Sequence, residues 1–220
     1  MKTSPTDCRA VRAALLALVL LVTGVPAVNA QRLYDDFVLA VANDRDGEVR
    51  ALLARGMDPN TVDPNGDPVL LTAARAGYGA TVQALLAARA QVDRTNAFGD
   101  TPLMVAAING HLEVVKALRL RGAALDRPGW TPLMYAAAGG RDEVVRYLIG
   151  QGANVNAQSP NGTTALMMAV HEARAATIDL LLASGADVNQ RNHAGATALA
   201  WAQKKEDDEL VRRLRRAGAR

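Results

Sequence analysis

The segment GDTPLMVAAINGHLEVVKALRLRGA, residues 99–123, decides the fold of this chain because the chain repeats it. Close copies begin at Gly129, Gly162 and Gly195, and a weaker copy begins at Gly66. From Gly66 onward, the leading glycines stand 33, 30, 33 and 33 residues apart. Self-similarity at this period predicts a stack of similar units whose neighbours bury one continuous core.

Each copy has the pattern of two short helices. A threonine stands where the first helix should begin, and its hydroxyl can accept a hydrogen bond from a free backbone N–H. These threonines are Thr101, Thr131, Thr164 and Thr197. Pro102 and Pro132 follow at the first helical position, where a missing N–H costs nothing. The second helix carries apolar residues at helical spacing, such as Val114, Val115 and Leu118. A glycine is expected just past the end of each second helix, at Gly122, Gly152, Gly185 and Gly218.

The segments between units are rich in Asn, Pro and Gly, as in ANVNAQSPNGTT, residues 153–164. This composition predicts projecting turns, here called fingers. Three residues are missing between Gly122 and Gly129, so one finger should be short. We expect the short finger to leave a notch in the edge of the stack beside Trp130.

The repeated pattern resembles the ankyrin repeat, and the resemblance covers residues 33–220. It implies an all-α solenoid of about six helix-turn-helix units with projecting β-turn fingers. The expected units are an N-terminal capping unit at 31–65 with Asp35 at the threonine position, repeats at 66–98, 99–128 (shortened), 129–161 and 162–194, and a C-terminal capping repeat at 195–220. The arginines near the C-terminus are expected to give that end the polar surface a terminal repeat needs.

The chain departs from the family pattern after the Thr-Pro-Leu signal. Where the family has histidine, this sequence has Met104, Met134 and Met167. We expect the side-chain hydrogen bond of that histidine to be lost and replaced by apolar packing.

The N-terminus has the order of a secretory signal peptide. Lys2, Arg9 and Arg12 precede an uncharged apolar run, and small residues lead to a cleavage site after Ala30. An uncleaved anchor is the alternative, but the run is short for a membrane helix. Residues 1–30 would therefore be a leader, and residues 31–220 would be periplasmic or secreted, with no membrane contact beyond the leader.

Removing the leader changes the charge and the cysteine count. The formal charge falls from +3 to about +1, and Cys8, the sole cysteine, is removed. A nearly neutral chain is a poor ligand for nucleic acid. Without a thiol, no disulfide forms and no cysteine acts as a nucleophile or a metal ligand.

The resemblance also implies which residues contact a partner. In ankyrin-like units these positions flank the leading glycine and lie nine and ten residues after it, on the concave face. The predicted contacts are Phe98, Asp100, Ile108, Asn109, Arg127, Trp130, Asn161, His171 and Glu172. Phe98 and Trp130 stand out because aromatic residues dominate binding hot spots. Packing of either ring over its own turn is an equal alternative, whereas Tyr135 and Trp201 should border the core.

The sequence offers no catalytic constellation and implies no cofactor. His171 and His193 could form at most a weak metal site across two units, because no further ligand completes it. We therefore predict a non-catalytic, monomeric scaffold that binds a protein partner on its concave face. Two alternatives stay open: a helper or inhibitor of a periplasmic enzyme, such as one in peroxide defence or a toxin, and a metal or small-molecule binder.

Overall fold

The fold is a single row of helix pairs. The computed structural model describes residues 27–220, and within this range the chain forms twelve helices and no strand. The helices are α1 (Ala27–Ala42), α2 (Asp46–Ala54), α3 (Val69–Ala76), α4 (Gly79–Ala87), α5 (Pro102–Asn109), α6 (Leu112–Leu120), α7 (Pro132–Gly139), α8 (Asp142–Gly150), α9 (Ala165–His171), α10 (Ala175–Ala183), α11 (Ala198–Lys204) and α12 (Asp208–Arg216). The predicted all-α repeat solenoid is confirmed.

The first helix of each later unit begins where the sequence predicts. The hydroxyl of Thr101 accepts a hydrogen bond from the amide of Met104 at 3.2 Å. The threonines at the start of α7, α9 and α11 likewise accept from the amide three residues further along. The expectation that the methionines only pack is wrong at Met104. The Met104 sulfur accepts a 3.4 Å hydrogen bond from the Thr101 amide, so the reciprocal capping bond survives there with a thioether as a weak acceptor.

The first helices pack in one layer and the second helices in another, and the core lies between them. Fully buried leucines recur once per unit in the first layer, at Leu70, Leu103, Leu133 and Leu166. Leu85, Leu118 and Leu148 recur in the second layer. Because every unit buries its apolar face against two neighbours, the core is continuous along the stack.

Five fingers connect the units, at residues 56–68, 88–101, 121–131, 151–164 and 184–197. Four of them close as tight hairpins. In the second finger, Asn96 N donates to Asp100 O at 3.1 Å, and the Asn96 side chain accepts from the amides of Phe98 and Asp100 at 3.0 Å each. The third finger is the short one, and among the described residues it forms no such backbone pair.

A ladder of short polar side chains joins consecutive fingers. One Asn or Asp per finger accepts a hydrogen bond from a backbone N–H one unit further along the chain. The five residues are Asn60, Asp93, Asp126, Asn156 and Asn189. The distances lie between 2.7 and 3.2 Å, so each of the first four fingers is tied to the next at its base, and the fifth is tied to Arg220 at the C-terminus.

The N-terminal unit differs from the expected one. Asp35 was expected at the start of a helix, but it lies in the middle of α1, where it accepts a 2.9 Å hydrogen bond from the Gln31 side chain. No Pro or Gly stands between residues 27 and 42 to end the helix earlier. The expected cleavage position after Ala30 falls within α1, and residues 1–26 lie outside the described range. In the part of the chain that the structure describes, no helix is long and apolar enough to cross a membrane.

Candidate interaction surface

The second finger presents the most exposed aromatic side chain among the described residues. Phe98 lies at its tip with 88% of its surface accessible to solvent. The Asn96 side chain holds the backbone on both sides of Phe98 through the two 3.0 Å bonds described above, and Gly99 supplies the positive φ of +83° that closes the turn. Phe98 therefore projects from a rigid turn and does not fold back over it.

Asp100 lies beside Phe98 and is already engaged within the protein. One of its carboxylate oxygens accepts a hydrogen bond from the Tyr135 hydroxyl on α7, and the other accepts from the Asn96 side-chain amide at 3.3 Å. Burial, and then the bond to Asp100, raise the pKa of Tyr135 well above its ordinary value. The phenol is thus a firm donor at neutral pH, and it braces the second finger against the next unit.

Trp130 follows the short third finger and differs in its surroundings from Phe98. Its side chain is half-buried and packs against the hydrophobic core. Gly129, with φ of +113°, turns the chain just before it, and Thr131 starts α7 just after it. Local packing therefore accounts for most of the Trp130 ring, and only its remaining surface faces solvent.

The other predicted contact on the third finger is Arg127. Its side chain is exposed and donates to the Asp93 carbonyl oxygen at 3.2 Å, so it reaches back to the base of the second finger. Within the described residues, no hydrogen bond joins the third finger to the tip of the second finger at Phe98. The missing residues thus leave one side of Phe98 uncovered, and we call this space the notch.

The fourth finger carries Asn161, which is exposed but hydrogen-bonded within the protein. The Asn161 side-chain oxygen accepts from the Ser159 hydroxyl at 2.6 Å and from the Thr163 amide at 3.2 Å. Its carbonyl oxygen accepts from the His193 amide of the fifth finger at 3.0 Å. The hydrogen-bonding capacity of Asn161 is therefore largely used inside the protein.

Four predicted residues lie at the opposite edge of the stack, where the first helices end. Ile108 is half-buried and Asn109 is exposed at the end of α5, and Asn109 donates to the Val105 carbonyl at 2.8 Å. His171 and Glu172 end α9 and pair with each other at 2.8 Å. An α-helix of eight residues is roughly 12 Å long, so these side chains do not form one cluster with the finger tips.

The two histidines considered as metal ligands lie apart. The His193 backbone contacts Asn161 at the fingers, whereas His171 stands at the opposite edge, where its ring meets Trp201 edge-on with centroids 5.8 Å apart. Among residues 27–220, no three His, Cys, Asp or Glu side chains come together as a metal site. The site that His171 and His193 could have formed across two units is therefore not assembled.

Sequence reasoning missed the part played by Tyr135. Its column was expected to border the core, and the ring is half-buried as expected, but the hydroxyl reaches Asp100 on the preceding unit. The available signal was the spacing: Tyr135 lies 35 residues after Asp100, about one repeat period. The ladder of Asn and Asp side chains was missed for the same reason, because its partners lie one unit apart.

Comparison with known proteins agrees with the architecture. The sequence matches a family model described as ankyrin repeats (3 copies) over residues 37–127, 70–159 and 133–220. Together these three matches cover nearly all of the range that the structure describes. A search of curated proteins found no match to this sequence.

Proposed function

The chain belongs to the ankyrin repeat family, and we propose that it is a protein–protein interaction module whose second finger inserts Phe98 into an apolar pocket of its partner. The single observation that carries this proposal is the 88% exposure of Phe98 beside the notch. A phenylalanine held in water on a rigid turn gains roughly 1.5–3 kcal/mol when it is buried.

The rest of the surface supports Phe98 in this role. Because Asn96 and Tyr135 already fix the second finger, little conformational entropy is lost when a partner orders it. The notch gives a partner access to the side of the Phe98 ring that a full-length third finger would flank. Arg127 and the solvent-facing part of Trp130 border the same space and supply polar and aromatic contacts, which are enriched in interfaces.

The test compares Phe98→Ala with Leu120→Ala. Leu120 is the matched control, because it is 86% exposed but ends α6 and lies outside the fingers. Each variant and the unaltered protein would be immobilised on beads and incubated with an extract of the source organism. The retained proteins would be identified by mass spectrometry. We expect a protein that the unaltered chain and Leu120→Ala retain and that Phe98→Ala loses, by tenfold or more in affinity.

Both variants should melt at the temperature of the unaltered protein, since neither side chain contributes to the core. Retention of the same protein by all three chains, or its loss from both variants alike, would place the interface elsewhere.

We further propose that residues 31–220 act outside the cytoplasm, as the leader pattern of residues 1–30 indicates. Sequencing the N-terminus of the protein isolated from its source should give Gln31 as the first residue. A chain that keeps Met1 would contradict cleavage.

A further inference from the structure

A line of cations follows the edge of the stack opposite the fingers. Arg141 and Arg174 stand at the turns between the two helices of their units, and Lys205 stands at the same edge of the last unit. We call these three residues the cation row. Each of them is exposed, and each lies one unit further along the stack than the one before.

Backbone oxygens of the preceding unit hold each member of the row in place. The Arg141 Nε donates to the Ile108 carbonyl at 2.9 Å, and the Arg174 Nε donates to the Ala138 carbonyl at 3.1 Å. Lys205 Nζ donates to the His171 carbonyl. These carbonyls lie in the last turn of α5, α7 and α9, where the helix dipole favours a positive charge.

Glycine makes room for the two arginine stems. A Cβ on Gly110 would lie 2.8 Å from Cδ of Arg141, and one on Gly140 would lie 2.8 Å from Cδ of Arg174. Both glycines also have a positive φ, which a larger residue would adopt under strain. The stems are therefore seated against the backbone, while the outer nitrogens of each guanidinium remain available.

The cations of the row are not paired with carboxylates. Among the described residues, none of the three makes an ion pair, although eight carboxylates elsewhere do so. The row is also confined to one half of the stack. At the same place in the earlier units stand Tyr78 and His111. The Tyr78 hydroxyl donates to the Ala42 carbonyl, and the His111 ring contacts the Arg75 carbonyl.

We infer that the cation row binds an extended acidic segment of a protein, at a site separate from Phe98. Neighbouring helices pack roughly 8–10 Å apart, so the row presents one charge at about that interval. A polyproline II chain, which is extended, rises about 3.1 Å per residue with three residues per turn, so acidic side chains at every third position lie on one face about 9 Å apart and match the interval. Arginine suits this role because its planar fork binds carboxylates in a bidentate manner.

The spacing also argues against nucleic acid. Duplex DNA carries one charge per roughly 1.7 Å of its axis, far denser than the row. Glu172 and Glu206 lie exposed beside the row and would repel a continuous line of phosphates. Spaced carboxylates separated by neutral residues avoid that repulsion, and the family-level preference for protein partners points the same way.

The test uses two fluorescent ten-residue peptides with the same composition and four aspartates each, in a Gly and Ser background. In the first peptide the aspartates occupy every third position, and in the second they are consecutive. Fluorescence anisotropy at low ionic strength would measure binding to residues 31–220. We expect the spaced peptide to bind at least fivefold more tightly than the clustered one, and raised salt to weaken both.

The variant R141Q/R174Q/K205Q removes the charges of the row and should weaken the spaced peptide at least tenfold. Its matched control is R55Q/R121Q/R146Q, which removes three exposed cations whose side chains make no hydrogen bond or ion pair among the described residues. The control should bind within twofold of the unaltered protein. If the row variant melts early, Lys205→Gln alone replaces it, with an expected loss of at least threefold.

Several results would overturn the inference. These are equal binding of the two peptides, equal losses in the row and control variants, or tighter binding of a short DNA duplex than of the spaced peptide. Phe98→Ala should bind the spaced peptide normally, so the cation row and the finger site can fail independently.

Discussion

Two junctions between neighbouring fingers show how one core supports different surfaces. At the junction of the fourth and fifth fingers, both fingers have full length and their tips are joined by the bond from the His193 amide to Asn161 O. The Gln158 side chain adds a bond to the Arg191 carbonyl at 3.2 Å. At the junction of the second and third fingers, no hydrogen bond among the described residues reaches the tip at Phe98 from the third finger, and the bonds between the two fingers lie at the base.

Beneath the fingers, the two junctions are alike. Leu133 on α7 and Leu166 on α9 are equally buried, and the threonine caps of these helices have the same geometry. The deletion that shortens the third finger therefore changes the surface without interrupting the core. A solenoid can vary its loops in this way, because each unit depends on its neighbours through the helices and not through the finger tips.

The largest expected effect tests the contact between α5 and α7 at the edge of the stack opposite the fingers. A Cβ on Gly139 in α7 would lie 2.4 Å from the Ile108 carbonyl oxygen, which is backbone and cannot move aside. We expect Gly139→Ala to lower the free energy of unfolding by about 1–3 kcal/mol, as overpacking does. Chemical denaturation followed by circular dichroism measures the change.

The control for this prediction is Gly150→Ala at the end of α8, where a Cβ would meet nothing within 4 Å. Alanine should stabilise that helix by roughly 0.5–1 kcal/mol. If both variants were equally stable, α5 and α7 would not be in close contact at that edge.

A smaller effect is expected where Tyr135 braces the second finger. Tyr135→Phe removes the bond to the Asp100 carboxylate and should lower the unfolding free energy by about 1 kcal/mol. The variant should also behave differently at alkaline pH. The raised pKa of Tyr135 means that the unfolded chain loses this proton first, so the unaltered protein should lose stability as the pH rises above the ordinary value of 10.0.

Denaturation curves of both proteins between neutral pH and pH 11 would measure this difference. The unaltered chain should approach the stability of Tyr135→Phe as the pH rises. Parallel curves over the whole range would show that Tyr135 ionises equally in the folded and unfolded chains.

The smallest expected changes in stability distinguish the tip of the fourth finger at Asn161 from the tip of the second finger at Phe98. Asn161→Ala removes an acceptor used by Ser159 and Thr163 and should cost roughly 0.5–1 kcal/mol of stability. Phe98→Ala should change the unfolding free energy by less than about 0.5 kcal/mol relative to the unaltered protein, because the Phe98 side chain is exposed. A larger loss for Phe98→Ala than for Asn161→Ala would reverse the assignment of Phe98 as a contact residue.

Most of the fold could be predicted because its signals are local. A threonine that caps a helix, a proline at the first position and a glycine just past the end of a helix act within a few residues of each other, and each of them stands where the sequence placed it. Asp35 could not be placed in this way, because it resembles a cap but no Pro or Gly between residues 27 and 34 breaks the helix before it.

The candidate site could be predicted only as a set of positions. The repeat register put Phe98, Trp130 and His171 on the partner-facing list, but it could not rank their exposure. Phe98 stands free, Trp130 packs on the core and His171 pairs with Glu172, since each depends on what the neighbouring unit places beside it.

By itself, the sequence determined the repeat, its register, the caps and the short third finger, because each follows from contacts within one unit. The tertiary structure alone decided which side chains remain free. The Asp100 carboxylate is engaged by Tyr135, the Asn161 carbonyl accepts from the fifth finger, and Arg141 donates to the carbonyl of Ile108. These contacts join residues about one repeat period apart, and only the stacking of units brings such residues together.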